Sequence, residues 1–326
     1  MFTMRFDMRT HPDGAAIQDL YAAALEMSSW AETRGCVGVQ VSEHHASPDG
    51  YLPAPMVLAS GIAARTKTLP IQVAALLVPL HDPVELAEHM AVLDVMSGGR
   101  VSYVCAVGYR AEEYAMFGRE MKGRGRRMED CLRVMRQAFA GEPFDYEGRT
   151  VHVTPAPLTP GGPMLLMGGN SKVVVRRAAR LGMGMITQGG DATLQEVYEE
   201  ACREAGSEPG FFVNPPATGS VMSAFVARDP DAAWAEMGPF LLHDAQMYAS
   251  WFQSAESSTK SVAATVEELQ AEKGSYQIFS VDEAIAHVKA SGMLLTQPLC
   301  GGLPPALAWQ SLELLVDEVL PAVRES

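Results

Sequence analysis

Cysteine is scarce and unpatterned in this 326-residue chain: five residues, Cys36, Cys105, Cys131, Cys202 and Cys300, with no C-x-x-C spacing. An odd, scattered set fits neither a disulfide framework nor a structural zinc site, and suits a reducing compartment. Positive charge is short as well: 25 Lys and Arg against 39 Asp and Glu leave a net charge of −14. Nucleic acid and anionic membranes both select basic surface, so neither is expected as a partner. No apolar run approaches the roughly 20 residues of a membrane-spanning helix. Arg5, Asp7 and Arg9 stand where a signal peptide would be apolar, so a cytoplasmic protein is expected. Walker A and G-x-G-x-x-G strings are missing too, which removes two routes to nucleotide binding.

What the chain does have is alternation. Apolar strand patterns at 4–8, 37–41, 71–78, 100–106, 164–167, 183–187, 219–226 and 293–299 alternate with helix patterns. Most of these strands lack polar alternation, as expected of a parallel sheet covered by helices. Asp82-Pro83-Val84-Glu85 reads as a helix start, Ser97-Gly98-Gly99 as its stop, and Thr193 and Ser280 as further caps. The expected fold is therefore α/β, a single (β/α)8 TIM barrel over residues 1–326, with an open doubly wound sheet as the alternative. Residues 144–153 read as a hairpin outside the barrel. The segment of about 237–274 reads as a helical insertion near strand seven, serving as a lid or an oligomer contact.

In such a barrel, function collects at the C-terminal ends of the strands. Six segments are selected in this way: 42–45, 77–81, 106–109, 168–171, 188–190 and 300–302. Glu43-His44-His45 follows strand two, and a histidine there titrates near neutrality as a base or hydrogen-bond donor. The plainer reading makes Glu43 a buried structural acid. Adjacent residues leaving a strand point to opposite faces, so one ion would rarely meet both rings and no metal is expected. Gly168-Gly169-Asn170-Ser171, at a strand-to-helix turn, is either an anion site or a capped glycine turn. Arg124, Arg126 and Arg127 form a basic patch, either a solvated helix start or a site for a phosphate partner. Cys105, between apolar neighbours, reads as a core thiol. The pocket-facing candidates Tyr109, His243, Tyr248 and Trp251 point to an apolar or aromatic substrate.

Taken together these segments resemble the bacterial luciferase-like flavin monooxygenase superfamily, which also holds deazaflavin-dependent oxidoreductases. The resemblance covers nearly the whole chain. It is carried by Ser42-Glu43-His44-His45, Ala63-Ala64-Arg65-Thr66, and the string Ala87-Glu88-x-x-Ala91-x-Leu93-Asp94-x-x-Ser97-x-Gly99-Arg100. Gly168-Gly169-x-Ser171 and the ending Gly301-Gly302-Leu303-Pro304-Pro305 add to it.

The resemblance implies flavin lying across the strand ends, His44 as base and stabiliser beside Glu43, and a cis peptide at Ala74-Ala75 under the ring. It places Cys105 near the flavin and Tyr109 with the cofactor-binding residues. Phosphate would be held by Gly168, Gly169, Asn170 and Ser171 with Arg124 or Arg126. Three departures stand out: Ala106 replaces the family's phosphate-binding arginine, the strand-three motif reads Pro79-Leu80-His81-Asp82-Pro83, and Ala46 follows His45 in place of an aromatic.

The expected function is a monooxygenase that uses reduced FMN, supplied by a separate flavin reductase, and O2 to oxygenate a small organic molecule. The alternatives are hydride transfer with the deazaflavin coenzyme F-420, and a non-catalytic flavin-binding protein. A homodimer or larger assembly is expected.

Overall fold

The computed structural model describes residues 1–189, 191–215, 220–251 and 261–324. Gly190, Gly219 and Phe252, each within a segment singled out above, lie outside them, as does the stretch 252–260 of the expected insertion.

The chain begins with β1 (Phe2–Phe6), α1 (Ile17–Ala31), β2 (Cys36–Val41), α2 (Pro55–Arg65), β3 (Ile71–Leu76), α3 (Pro83–Ser97) and β4 (Val101–Cys105). The short α4 (Ala111–Met116) and longer α5 (Arg124–Phe139) lead to a hairpin of β5 (Phe144–Tyr146) and β6 (Arg149–Val151). Then come β7 (Met164–Gly168), α6 (Lys172–Arg180), β8 (Met185–Ile186), α7 (Leu194–Ala205), β9 (Phe212–Val213), β10 (Ser223–Val226) and α8 (Pro230–Trp251). The last elements are α9 (Val266–Glu272), β11 (Tyr276–Phe279), α10 (Val281–Ser291), β12 (Leu294–Thr296), α11 (Pro305–Leu314) and, after a π-helical turn at Leu315–Val319, α12 (Leu320–Arg324).

Ten strands form one sheet in the order β11-β10-β12-β1-β2-β3-β4-β7-β8-β9, and every pairing in it is parallel. The chain passes from β9, at one end of this ladder, into β10, next to its other end. Met4, Val39, Ile71 and Val101 stand in register across four neighbouring strands and are all buried. That row is one stripe of the buried, apolar face of the sheet. Because all strands run the same way, their C-terminal ends gather on one face.

The local signals at α3 act as read. The Asp82 side chain accepts from the Val84 and Glu85 N–H groups, Pro83 opens the helix, and Gly98 closes it at φ 67°. Ser280 and Glu283 make a reciprocal capping box on α10. Thr193 differs from expectation: its side chain caps nothing, and instead its N–H and hydroxyl donate to Asp191 Oδ1 at 2.9 and 2.6 Å. An aspartate two residues upstream competes for the same hydroxyl and wins it as an Asx turn.

Two strands were not anticipated. The two-residue β9 is too short for any pattern, and β11 lies against β10 over four residues just beyond the expected insertion. The insertion is helical in its described parts, α8 and α9, but α8 begins earlier than read, at Pro230 directly after β10. Its first two turns are thus the ordinary helix following a barrel strand. Among the described residues no helix is long and apolar enough to cross a membrane.

Candidate active site

The segments after β2, β3 and β4 meet on the C-terminal face, and buried carboxylates join them. Glu43 is buried, and its Oε2 accepts the Leu77 N–H at 2.5 Å, tying the end of β2 to the end of β3. Its Oε1 lies 2.9 Å from His45 Nε2 and 2.7 Å from His81 Nε2. Burial pushes the Glu43 carboxyl up, but the His45 and His81 hydrogen bonds, the His81 charge and the Leu77 N–H outweigh it and take the pKa down to about 2. For His81, burial works downward, yet the Glu43 bond and charge prevail and raise it above its ordinary value.

These three side chains are also close enough together to be examined as metal ligands. Ligands bonded to one ion at about 2.0–2.1 Å stand roughly 3.3 Å apart at tetrahedral angles. Separations of 2.7 and 2.9 Å are hydrogen-bond lengths, so the arrangement is a carboxylate clamped by two imidazoles.

His44 points the other way from His45, as adjacent residues leaving a strand do. Its Nδ1 lies 2.8 Å from Glu113 Oε1, and its Nε2 lies 3.1 Å from the Tyr109 hydroxyl. Glu113 Oε1 also accepts the His45 N–H at 3.0 Å and Arg110 Nη1 at 3.3 Å. Arg110 in turn donates to the His45 carbonyl at 2.6 Å. An oxygen already taking two other donors leaves Nδ1 as the protonated nitrogen of His44. The Nε2 lone pair then accepts from Tyr109. Burial, the largest influence, lowers the His44 pKa; Glu113 opposes it, while Arg110 and Arg9 add to the lowering.

Beside His44 lies a second group that the sequence reading missed. Arg9, fully buried, donates to Asp49 Oδ2 at 2.5 Å and lies 2.8 Å from Asp244 Oδ1 through Nε. His243 Nε2 also lies 3.2 Å from Asp49 Oδ2. Asp7 accepts from Gln297 at 2.7 Å and is held well above the ordinary carboxylate range, first by burial and then by the Asp244 charge.

The remaining candidates lie at the ends of β3, β4 and β7 and on the helices that follow. Ala74–Ala75 is a cis peptide, as the resemblance implies, with both residues half-buried at the end of β3. Cys105 is wholly buried in the core, and burial pushes its thiol up to about 12. Gly168 ends β7, and Gly169 adopts φ 147°, where a Cβ would meet Val174 Cγ1 at 3.0 Å. Asn170 follows, and Ser171 caps α6 by accepting the Val174 N–H.

Arg124 and Arg126 lie in the first turn of α5, Arg126 exposed and Arg124 donating to the Met121 carbonyl at 3.2 Å. Gly125, between them, lets the Arg177 guanidinium of α6 pack against its Cα, and Glu129 holds Arg177 at 2.7 Å. The first turn of α5 therefore neighbours the last turn of α6, not its start. Arg127 has a structural task, donating to the carbonyls of Pro79 and His81 at 2.6 and 2.8 Å.

Glu113, Arg110, Arg9, Tyr51 and Asp244 carry no sequence signal. Glu113 meets His44 across 69 residues of chain, and nothing in Glu112-Glu113 says which carboxylate turns inward.

A family model described as luciferase-like monooxygenase matches residues 1–286. The alkanal monooxygenase beta chain of Vibrio harveyi is 27% identical over 177 residues, covering 51% of this chain and 54% of the relative. The chain spans about half the length of the curated relatives it matches. Among solved structures, the monooxygenase RslO1 of Streptomyces bottropensis shares the fold at a TM-score of 0.78, with 19% identity and 98% of each chain covered. The oxygenating constituent of 3,6-diketocamphane monooxygenase from Pseudomonas putida, solved with FMN, gives 0.71 at 21% identity, covering 99% of this chain and 98% of that one. An F420-dependent secondary alcohol dehydrogenase gives 0.65 at 17%, again over 99% and 98%. With a family model spanning so much of the sequence, and a sheet whose strand ends gather these histidines and glycines on one face, the chain belongs to the luciferase-like monooxygenase family.

Proposed function

We propose that the protein is a flavin-dependent monooxygenase that takes reduced FMN from a separate reductase and oxygenates a small organic substrate. The observation that carries this is the His44 arrangement. A neutral, buried imidazole is fixed by Glu113 at Nδ1 and accepts, at Nε2, from the half-buried Tyr109 hydroxyl.

The residues present fit a phosphate-bearing planar cofactor. The start of α6 offers backbone N–H groups behind a turn that admits no side chain at Gly169. The basic first turn of α5 packs against the far end of the same helix, at Arg177, and adds positive charge on that side of an acidic chain. Gly168, Gly169, Asn170 and Ser171, with Arg124 and Arg126, would hold the phosphate. Ala74 and Ala75 would lie under the ring, with Tyr109 and the Cys105 segment beside it. When bound, reduced FMN supplies the electrons that activate O2.

The chain's own contribution is positional and protonic. Glu113 and Arg110 fix the His44 tautomer. Nε2 accepts a proton from the reacting group directly or by way of Tyr109. The aromatic walls Tyr51 and Tyr248 exclude water. A dimer or larger assembly belongs to this reading.

The test is anaerobic titration of the purified protein with reduced FMN and, separately, reduced coenzyme F-420, followed by admission of O2. Binding of reduced FMN with a transient flavin absorbance change on oxygenation is expected. Tight binding of F-420 alone, with no oxygen-dependent change from FMN, overturns the oxygenase reading in favour of hydride transfer. Binding of either without turnover of any substrate leaves a flavin-binding protein.

A further inference from the structure

The space next to His44 is filled by the protein's own Trp251. The indole centroid lies 4.7 Å from the His44 ring, 5.8 Å from Tyr51 and 5.5 Å from Tyr248. Two guanidiniums lie over the same indole, with Arg9 Cζ at 4.5 Å and Arg110 Cζ at 4.3 Å from its centroid. All five walls are buried, at 0% exposure for Arg9, 3% for Tyr51, 7% for His44 and Tyr248, and 8% for Arg110. Trp251 alone is half-buried, and it is the last residue of α8. Arg9 Nη2 is buried with no hydrogen-bond partner among the described residues.

We infer that this box is the substrate pocket and that its ligand is an electron-rich aromatic ring bearing a phenolic or carbonyl oxygen, with Trp251 standing in its place. The inference rests on the oxygenase reading only for what happens to the ring afterwards. Two cations over one ring select for a negative π face, which favours phenols and indoles over saturated rings and rejects cationic ones. Tyrosine and histidine edges complete an aromatic enclosure. The ring oxygen accepts from the Arg9 Nη2 donor that nothing else satisfies; a buried donor left unpaired is costly, so this contact adds selectivity for oxygenated rings. Arg9 and Arg110 are charge-balanced by Asp49, Asp244 and Glu113, so a neutral ligand suffices. Rotation at the end of α8 removes Trp251 without disturbing the buried Tyr248 and Asp244 on the turns before it.

The test is calorimetric titration of the full chain, without flavin, using naphthol, its saturated analogue decahydronaphthol, and naphthylmethylammonium. Trp251→Ala is expected to bind naphthol at least tenfold more tightly than wild type, at least tenfold more tightly than decahydronaphthol, and to ignore the cation. Trp251→Leu, which keeps apolar bulk at the helix end, is the second variant and is expected to move in the same direction. Arg110→Met in the Trp251→Ala background is expected to lower naphthol affinity at least threefold and leave decahydronaphthol unchanged. Equal affinity for naphthol and decahydronaphthol, or no naphthol binding by either Trp251 variant, overturns the inference. Reduced FMN is titrated separately. Naphthol binding without FMN binding upholds the box while the oxygenase reading falls; FMN binding with no preference for naphthol overturns the box alone.

Discussion

His44 takes its chemistry from two neighbours that the sequence does not place beside it. With Glu113 at Nδ1 and Tyr109 at Nε2, the ring is a neutral base whose working form exists above its own pKa, which burial holds below 6.5. Turnover is therefore expected to rise with pH through a value under 6.5 and then level off, read from kcat against pH. His44→Ala is expected to reduce turnover at least tenfold and leave flavin affinity unchanged; an unchanged kcat would make the residue structural. Glu113→Gln removes the influence that raises His44, so the acid limb of the profile should move to lower pH with a several-fold drop in kcat and little change in flavin affinity. A merely structural Glu113 would lower stability and leave that limb where it was. The place of Glu43-His44-His45 after strand two was legible in the sequence, while the hydrogen-bond partners of each side chain were not. His45 and His81 serve Glu43, and only His44 faces Tyr109.

At the scale of elements, the residues that made the resemblance most specific turn out to be joints of the barrel. Arg100 donates to the carbonyls of Ser97 and Leu69 at 2.6 Å each, Thr66 at 3.0 Å and Ala63 at 3.1 Å, closing α2 and α3 onto the start of β4. Asp94, fully buried, accepts the Thr159 N–H and hydroxyl at 2.7 and 2.8 Å. Leaving several carbonyls without a donor costs about 1–3 kcal/mol for each one that water cannot reach. Arg100→Ala is accordingly expected to lose about 2–4 kcal/mol in urea denaturation, with kcat at low temperature unchanged.

The clamp between β2 and β3 has its own pH signature. His81 is raised above its ordinary 6.5, so its pairing with Glu43 stabilises fully below that value and is lost as pH rises through the raised one. Glu43, lowered from 4.5 to about 2, contributes above 4.5 and is lost as pH falls toward about 2. Melting temperature against pH should show both limbs, and His81→Leu should flatten the alkaline one.

Over the whole molecule, Arg9 does what no single element does. It leaves β1, pairs with Asp49 in the segment between β2 and α2, and reaches Asp244 in α8, so it joins the first strand to the helix after β10. Removing one partner of a buried ion pair leaves the others charged and unpaired, at a cost of about 3–5 kcal/mol. Arg9→Ala is expected to show that loss in equilibrium denaturation, together with a fall in Tyr248 and Trp251 burial read by fluorescence quenching. A loss below 1 kcal/mol would mean that solvent reaches the group.

The sequence by itself determined the barrel and its working face. Eight apolar strand patterns, the Asp82-Pro83 and Ser280 starts and the Gly98 stop are local signals, and a parallel sheet built from them has only one end at which Glu43, His44, Tyr109 and Gly168 can gather. It also pointed to the family, through a string whose Asp94 and Arg100 make joints between helix and strand in this barrel. Only the tertiary structure decided the site. Which carboxylate faces His44, how Arg9 is balanced and what Trp251 covers are settled by contacts between residues 65 to more than 200 positions apart in the chain. Side-chain type and spacing carry no record of such meetings, since the energies that select them exist only once the strands have closed.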